Sequence, residues 1–286
     1  MKRKIKLVLK IFFGLLFLLL IGFGAFIWKA KYGINFYDST PPELPTEFSG
    51  KTVLLFSKTN GFRHGEAIEA SIPIFEQMAK DNGWKLFATD NGAVFNPEQL
   101  EKFDVVIWNN TSGKTLDEEQ RGFFKNYLEG GGGFVGIHAA GDNSHQWDWY
   151  EQNVLGALFS HHTLHPQFQT ARMFLEEGDT TLTKDLLKTW DHREEWYMFF
   201  DNPRDKGFDV LYTVDETNMN PSGTIPILAP GKDWGMGKDH PIVWYHTLKG
   251  GRIFYSALGH AADTFQDPEH QKMLENAISW AGKFQE

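Results

Sequence analysis

The sequence predicts an α/β fold in which helices cover both faces of a mostly parallel sheet. Two observations carry this prediction: short runs that are apolar throughout, and amphipathic helical segments between them. An unbroken apolar run is typical of a strand that is buried on both faces. Repeated strand-helix-strand units of this length indicate parallel strands joined by right-handed crossovers. The chain has 286 residues, 41% of them hydrophobic, which is enough to enclose such a sheet in a substantial core.

The first half of the folded part shows this alternation most clearly. Strands are predicted over residues 52–56, 84–89, 103–110 and 133–137. A helix is predicted over residues 66–82, because apolar residues recur there every three or four positions and Gly83 follows as a helix terminator. A second helix is predicted over residues 117–129. Glycines before the fourth strand and small residues after it predict a sharp corner at His138.

The second half is less regular, but strands and helices are still recognisable. Strands are predicted over residues 170–176, 209–215, 241–248 and 251–258. The last two flank Lys249 and Gly250, which predicts a hairpin with a tight turn. Helices are predicted over residues 147–159 and 269–283.

The N-terminus predicts a membrane anchor ahead of the folded domain. Residues 1–10 form a basic tail, and residues 11–28 carry no charge, a length near the lower limit for a membrane-spanning helix. A cleaved signal peptide is the alternative, which would leave a secreted protein, but no small residues mark a cleavage site before Lys31. An uncleaved, single-pass signal anchor is therefore the prediction. The positive charges before it place the N-terminus in the cytoplasm and the domain outside it.

The amino-acid composition limits the binding partners and the catalytic chemistry that are expected of the remaining chain. Residues 29–50 include three prolines near their end and predict a stiff linker, which leaves residues 51–286 as the folded domain. From residue 48 onward the chain has 21 basic and 34 acidic residues, a net charge of -13, which makes nucleic acid an improbable partner. There is no cysteine, so a thiolate nucleophile is excluded and any metal must be held by His, Asp or Glu.

Polar residues follow several of the predicted strands, where an open α/β sheet binds its ligands. Because the carboxyl ends of parallel strands share one edge, these residues should converge on a cleft. His138 occupies the corner after the fourth strand. The substrate-binding candidates at these strand ends are Arg63, His64, Asn109, Asp142 and His260.

Two further segments supply candidate acids, bases and metal ligands. The stretch "FSHHTLHPQ" holds three histidines, and Pro166 argues for a loop there instead of a helix. In "EEWYMF", Glu195 is the carboxylate predicted to point inward, next to Tyr197 as a substrate-binding residue. His246 lies in a predicted strand and is either a metal ligand or a core histidine.

Five segments taken in order resemble the ThuA-like, or trehalose-utilisation, family. They are "TNGFRHGE", "GGGFVGIHAAGD", "HREEWYMF", "HPIVWYH" and "GGRIFYSALGH". The resemblance implies a flavodoxin-like fold similar to that of class I glutamine amidotransferases. Those enzymes carry a catalytic cysteine at the corner that His138 occupies here, so glutamine hydrolysis through a thioester is excluded.

The resemblance also implies a function in sugar catabolism. We expect the domain to act on carbohydrate, by hydrolysis, elimination or isomerisation of a keto-glycoside or disaccharide; a non-catalytic carbohydrate-binding surface protein is the alternative. His138 is expected to serve as general base or metal ligand, with Glu195 as its acid partner. The family pattern favours His162 as the histidine of its segment that enters the cleft. A divalent metal, zinc first, would be held by His138, His162 and His246, and a metal-free histidine pocket remains the alternative.

Overall fold

The computed structural model describes residues 2–32, 34–224, 232 and 234–285. Its strands, in chain order, are β1 (Thr52–Phe56), β2 (Lys85–Thr89), β3 (Val105–Asn109), β4 (Gly133–Ile137), β5 (Phe159–His162), β6 (Phe168–Leu175), β7 (Thr189–Glu195), β8 (Tyr197–Phe199), β9 (Asp209–Val214), β10 (Pro241–Leu248) and β11 (Gly251–Ser256). Within the described residues, nine strands form one sheet, and β5 pairs with β8 in a separate two-stranded sheet.

The large sheet has the order β2-β1-β3-β4-β11-β10-β9-β6-β7. Neighbouring strands are parallel from β2 to β11 and antiparallel from β11 to β7. Each antiparallel pairing reverses the strand direction, so two successive pairings restore it. Seven of the nine strands therefore point the same way, and β10 and β6 point the opposite way. The predicted mostly parallel α/β class is confirmed. The carboxyl end of β7 therefore points the same way as those of β1, β3, β4 and β11.

The helices are α1 (Lys2–Tyr32), α2 (Gly65–Asn82), α3 (Pro97–Leu100), α4 (Glu118–Glu129), α5 (Asp148–Tyr150), α6 (Thr180–Thr183) and α7 (Pro268–Ala281). Helix α4 begins with a capping box between Asp117 and Gln120. Its Phe124 packs on Trp108 of β3 and Phe134 of β4. Helix α7 contacts β4 and β11, so the central strands are covered by helices that follow them in the chain.

The segment after His138 differs from the predicted helix over residues 147–159. Helix α5 covers three residues, and a single π-helical turn follows over Glu151–Leu155. Gly156 ends this turn in the left-handed conformation, and the chain then enters β5. Strands β5 and β7 were not predicted, because histidines and carboxylates replace the apolar alternation that marks a strand, and β8 was not predicted because it is only three residues long.

The N-terminal helix α1 is longer than the predicted span and includes most of the predicted basic tail. Its stretch Lys4–Lys29 is long and apolar enough to cross a membrane, a property that a signal sequence shares. The side chains described in this stretch are exposed to solvent.

Residues 34–48, most of the predicted linker, lie along the domain, and we call them the strap. The backbone N–H of Ile34 donates to the carbonyl of Asn60 at 2.8 Å. The Asn60 amide in turn donates to the carbonyl of Phe36 at 3.1 Å. Further along, Asp38 forms an ion pair with the buried Lys58. The strap is thus attached to the loop that follows β1.

Candidate functional site

Three imidazoles and one carboxylate meet at the carboxyl edge of the sheet. They belong to His64, His138, Glu195 and His260, and we call them the His/Glu cluster. One ligand atom from each residue lies within 4.8 Å of those from the other three. This places four side chains with metal-binding and proton-transfer chemistry in one small volume.

The topology of the sheet explains how four distant residues meet. His64 directly precedes α2 in the loop after β1, and His138 directly follows β4. His260 lies in the loop after β11, while Glu195 is the last residue of β7. These four strands point the same way, so their carboxyl ends face the same edge. The loop after β11 meets β7 directly, because the N–H of Gly259 donates to Glu194 Oε2 at 2.8 Å.

The corner at His138 has an uncommon backbone conformation. Its φ of 47° lies in the left-handed region, which a residue with a side chain adopts only when its surroundings impose it. Tyr255 contributes to that constraint by donating its hydroxyl proton to the His138 carbonyl at 2.9 Å. A side chain at Gly141 would collide with the Tyr255 hydroxyl at 2.2 Å. The small residues after β4 therefore allow the close packing that directs His138 into the cluster.

Hydrogen bonding determines how His138 presents its ring. Its Nδ1 lies 2.7 Å from the carbonyl oxygen of Ala257, so Nδ1 carries the proton that is donated there. Its Nε2 lies 3.1 Å from His260 Nδ1 and 3.5 Å from Glu195 Oε2. A histidine that ligates a metal usually donates its other N–H to a carbonyl or carboxylate in this way.

Three atoms of the cluster lie at spacings near those of ligands around one metal ion. The distance from His260 Nδ1 to Glu195 Oε2 is 2.8 Å. Tetrahedral zinc, with bonds of about 2.0–2.2 Å, separates its ligand atoms by roughly 3.3–3.6 Å. The distances of 3.1 and 3.5 Å from His138 Nε2 are close to this range, whereas 2.8 Å is shorter and is the length of a hydrogen bond.

The charges in the cluster are strongly coupled. Burial alone would raise the pKa of Glu195, but hydrogen bonds from His138, His162 and His260 outweigh it and lower this pKa well below its usual range. Burial would likewise lower the pKa of His138, yet the two neighbouring carboxylates raise it. Burial lowers the pKa of His64 to about 2, and the His64 Nδ1 has no hydrogen-bond partner among the residues that the structure describes. His64 is therefore a neutral imidazole with a free nitrogen.

The second oxygen of Glu195 faces two further side chains. His162 Nδ1 lies 3.0 Å from Oε1, and Gln167 Nε2 donates to the same oxygen at 2.6 Å. The His162 side chain is 36% exposed and that of His260 is 16% exposed, whereas His138 is fully buried. Solvent and ligands therefore reach the cluster from the side of His162 and His260.

A protonatable carboxyl group and a tyrosine complete the surroundings of His138. The Tyr197 ring lies 4.2 Å from the His138 ring, centroid to centroid. Asp142 lies in the turn after His138 and has a buried Oδ1 without a hydrogen-bond partner. Burial raises the pKa of Asp142 to about 6, despite the opposing effect of His138.

A family model covers almost all of the folded domain. It is ThuA, described as trehalose utilisation, and it matches residues 52–281. The chain belongs to the ThuA family. The resemblance predicted from the five sequence segments is therefore confirmed.

Solved structures support the same conclusion. A ThuA-like protein from Bacteroides uniformis ATCC 8492 is 26% identical to this chain, with a TM-score of 0.68 over 85% of this chain and 95% of that one. A ThuA-like protein from Parabacteroides merdae ATCC 43184 is 18% identical, with a TM-score of 0.62 over 82% and 90% of the two chains. The second similarity concerns the fold alone. A search of curated proteins found no significant match.

Six of the ten predicted site residues lie outside the His/Glu cluster of this ThuA domain. Asp142, His162 and Tyr197 adjoin the cluster, whereas the other three make their contacts elsewhere. Arg63 is exposed, and its guanidinium donates to the Ser57 carbonyl at 3.3 Å. Asn109 is buried and donates to the hydroxyls of Ser57 and Ser71, so it holds the ends of β1 and β3 to α2. His246 stacks on Phe208 with ring centroids 3.6 Å apart. The predicted ligand set of His138, His162 and His246 thus differs from the set that the structure brings together.

Sequence reasoning missed the roles of Gln167 and Glu194. Gln167 ends the histidine-rich stretch and was not considered as a partner for Glu195. Glu194 was expected to point away from the cleft, but it is fully buried and accepts hydrogen bonds from Gly259 N and from Thr264 Oγ1 at 3.1 Å. It therefore holds the loop that carries His260. The sequence feature that could have revealed the role of Glu194 is the pair of adjacent carboxylates before two aromatic residues.

The buried His192 behind Glu194 makes the stability of the ThuA domain depend on pH. Its Nδ1 lies 3.3 Å from Asp267, and its Nε2 lies 3.8 Å from Glu194. Burial would lower its pKa, but these two carboxylates raise it to about 9. The protonated form is therefore stabilised by folding: this contribution is complete below about pH 6.5 and is lost as the pH rises through 9.

We expect the free energy of unfolding to fall between pH 6.5 and 9, and this fall to be about 2–3 kcal/mol smaller in His192→Gln, because the raised pKa values of His138 and His162 contribute to it in both proteins. Urea unfolding of the detergent-solubilised chain at both pH values measures it. His145→Gln, at an exposed position, serves as the control and should keep the wild-type dependence. The same pH dependence in wild type and His192→Gln would contradict the assignment.

Proposed function

We propose that this protein is a metal-assisted enzyme that acts on keto-sugars, with the His/Glu cluster as its catalytic centre. The single observation that carries the proposal is the convergence of three imidazoles and Glu195 within 4.8 Å of one another. A domain that only binds sugar needs hydrogen-bond donors and aromatic faces, and has no need of a buried carboxylate shared by three histidines. The ThuA family's description, trehalose utilisation, supports a carbohydrate as the substrate class.

The donor set fits a divalent transition metal. His64, His138 and His260 supply nitrogen donors and Glu195 supplies an oxygen, a combination that suits zinc or manganese. Two features favour a metal over a set of mutual hydrogen bonds. His138 donates its Nδ1–H to the Ala257 carbonyl and so directs Nε2 at the centre, and among the described residues the buried His64 Nδ1 has no hydrogen-bond partner. Bound there, a metal would polarise a carbonyl or hydroxyl oxygen of the ligand.

The residues around the donor set are placed to transfer protons. His162 shares Glu195 with the cluster and is the more exposed imidazole, so it is placed to exchange a proton with a bound sugar. Asp142 lies near His138 and is partly protonated near neutral pH. Gln167 and His162 hold one oxygen of Glu195, which leaves the other directed at His138 and His260.

A ketone two carbons from the glycosidic carbon is the chemistry that this arrangement serves. A carbonyl acidifies the C–H between the two carbons, and polarising its oxygen lowers the cost of removing that proton. The resulting enolate expels the glycosidic oxygen from the neighbouring carbon, and this oxygen takes up a proton and leaves as the hydroxyl of the second sugar; when the proton instead returns to the enolate at another atom, the outcome is isomerisation. Both outcomes need a base and an electrophile at one site, which the His/Glu cluster and His162 provide.

The proposal also includes the location of the enzyme. The apolar stretch of α1 is long enough to cross a bilayer, and basic residues precede it. We propose that α1 stays in the membrane with its N-terminus in the cytoplasm, so that the ThuA domain works outside the cytoplasm.

Incubation with keto-trehalose and, in parallel, with trehalose tests the proposed function. With the metal-loaded full chain in detergent, NMR should show keto-trehalose consumed and trehalose unchanged. Free glucose with an unsaturated keto-sugar indicates elimination, free glucose with a keto-glucose indicates hydrolysis, and an isomeric disaccharide without free glucose indicates isomerisation. Saturable binding of the sugar with no product after prolonged incubation would contradict the proposal and favour a carbohydrate-binding protein.

A further inference from the structure

The connection between α1 and the ThuA domain is very short. Helix α1 ends at Tyr32, and Ile34 already donates a backbone hydrogen bond to Asn60 of the domain. One residue separates Tyr32 from Ile34, so their Cα atoms are at most about 7 Å apart. The domain is therefore held near the end of α1, and its attachment point is the loop that contains Asn60.

This attachment point lies at the edge of the sheet that carries the His/Glu cluster. Asn60 follows β1 in the same loop as Phe62 and His64. The Asn60 N–H donates to the Ser112 carbonyl at 2.8 Å, and the Ser112 hydroxyl donates to the Phe62 carbonyl at 2.5 Å. The strap is thus joined to the carboxyl ends of β1 and β3, four residues from His64.

Exposed apolar side chains lie in three segments that carry or adjoin the cluster. Phe36 of the strap is 67% exposed, and Phe62, whose ring packs on His64 with centroids 4.9 Å apart, is 50% exposed. Leu164, two residues beyond His162, is 41% exposed. We call Phe36, Phe62 and Leu164 the apolar rim. Single exposed apolar residues are ordinary, but these three belong to the strap, to the loop of His64 and to the segment that follows His162.

We propose that the apolar rim rests on the surface of the bilayer that holds α1, so that the His/Glu cluster faces the membrane. This proposal rests on the proposed membrane anchoring of α1. Aromatic and aliphatic side chains at the level of the lipid headgroups are favoured there. Arg63, exposed beside Phe62, supplies a positive charge for lipid phosphates. Ligands then enter the cluster from the space between the domain and the bilayer.

Site-specific fluorescence in lipid nanodiscs tests this proposal. The chain has no cysteine, so one introduced cysteine carries a fluorophore at a single position. We would label Phe62→Cys and Phe36→Cys at the rim and Lys80→Cys as the matched control. Lys80 is exposed near the end of α2, about 22 Å along the helix axis from its first residue. The probe is a nanodisc of phosphatidylcholine and phosphatidylglycerol containing nitroxide-labelled lipid.

We expect the nitroxide lipid to quench the two rim labels at least threefold more strongly than the label at Lys80. Equal quenching at all three positions, with Leu18→Cys in α1 strongly quenched, would overturn the proposal and leave the rim free for a protein partner or a second copy. An unquenched label at Leu18→Cys would show that α1 does not lie in the membrane. It would overturn the proposal, because the proposal depends on the anchoring of α1. The measurement needs no substrate, so its outcome is independent of the proposed catalysis.

Discussion

Replacing His138 or His260 by alanine is expected to abolish binding of the proposed metal. After loading with zinc and dialysis, the wild-type chain should retain about one equivalent, and each variant should retain less than about a tenth of that. The physical reason is that each variant loses one of four donors. Changes in residues that merely support ligands already cost about 10–100-fold in metal affinity. Elemental analysis of the purified protein gives the result directly.

His161→Ala is the matched control for this experiment. His161 neighbours His162 in β5, but its Nδ1 lies 2.8 Å from the Ser160 hydroxyl and its Nε2 lies 3.0 Å from the Pro221 carbonyl, so both ring nitrogens have partners other than Glu195. It should therefore retain the full equivalent of zinc. Equal zinc in wild type and His138→Ala would show that the cluster is not the metal site. No zinc in either would leave His138 as a base or hydrogen-bonding group in a metal-free histidine pocket.

Glu195→Gln is expected to lower turnover of a converted keto-sugar by about a thousandfold. The amide keeps the shape of the side chain, but it removes the negative charge that three imidazoles share and an oxygen donor of the proposed metal site. Loss of a general acid or base alone costs about 10²–10⁴-fold in rate. The comparison of kcat for wild type and variant at saturating metal and sugar measures this effect.

Glu177→Gln makes the same chemical change at an exposed position and should keep the wild-type rate. Thermal unfolding of both variants separates a catalytic effect from a folding defect. A Glu195→Gln protein that is folded and turns over within tenfold of wild type would place the chemistry elsewhere.

The part of the site that the sequence predicted follows from one rule, that ligands bind at the carboxyl ends of parallel strands. His64, His138 and His260 all follow strands whose apolar runs were visible, and the structure brings these three together. Glu195 had weaker support, because β7 has the sequence "TWDHREE" and shows no apolar run. Its inward orientation depends on pairing with β6 and on Gly259, which are long-range contacts that no local pattern records.

The position of His246, away from the cluster, could have been predicted from the sequence. The predicted hairpin between residues 241–248 and 251–258 already makes its first strand antiparallel to the second. The end of β10 that carries His246 therefore lies at the edge opposite to the cluster, where the ring packs on Phe208. Gln167 is a different case, because its contact with Glu195 arises between an irregular loop and a strand end. Nothing in its sequence neighbourhood predicts that contact.

The four members of the His/Glu cluster are distributed along the chain from residue 64 to residue 260. No early part of the chain contains the complete donor set, so the proposed metal could be captured only after β11 has joined the sheet. Contacts between such distant residues form late in folding. A chain that crosses a membrane unfolded would then acquire its metal on the far side. The supply of ions in that compartment, together with the chemistry of the four ligands, would decide which metal the mature protein carries.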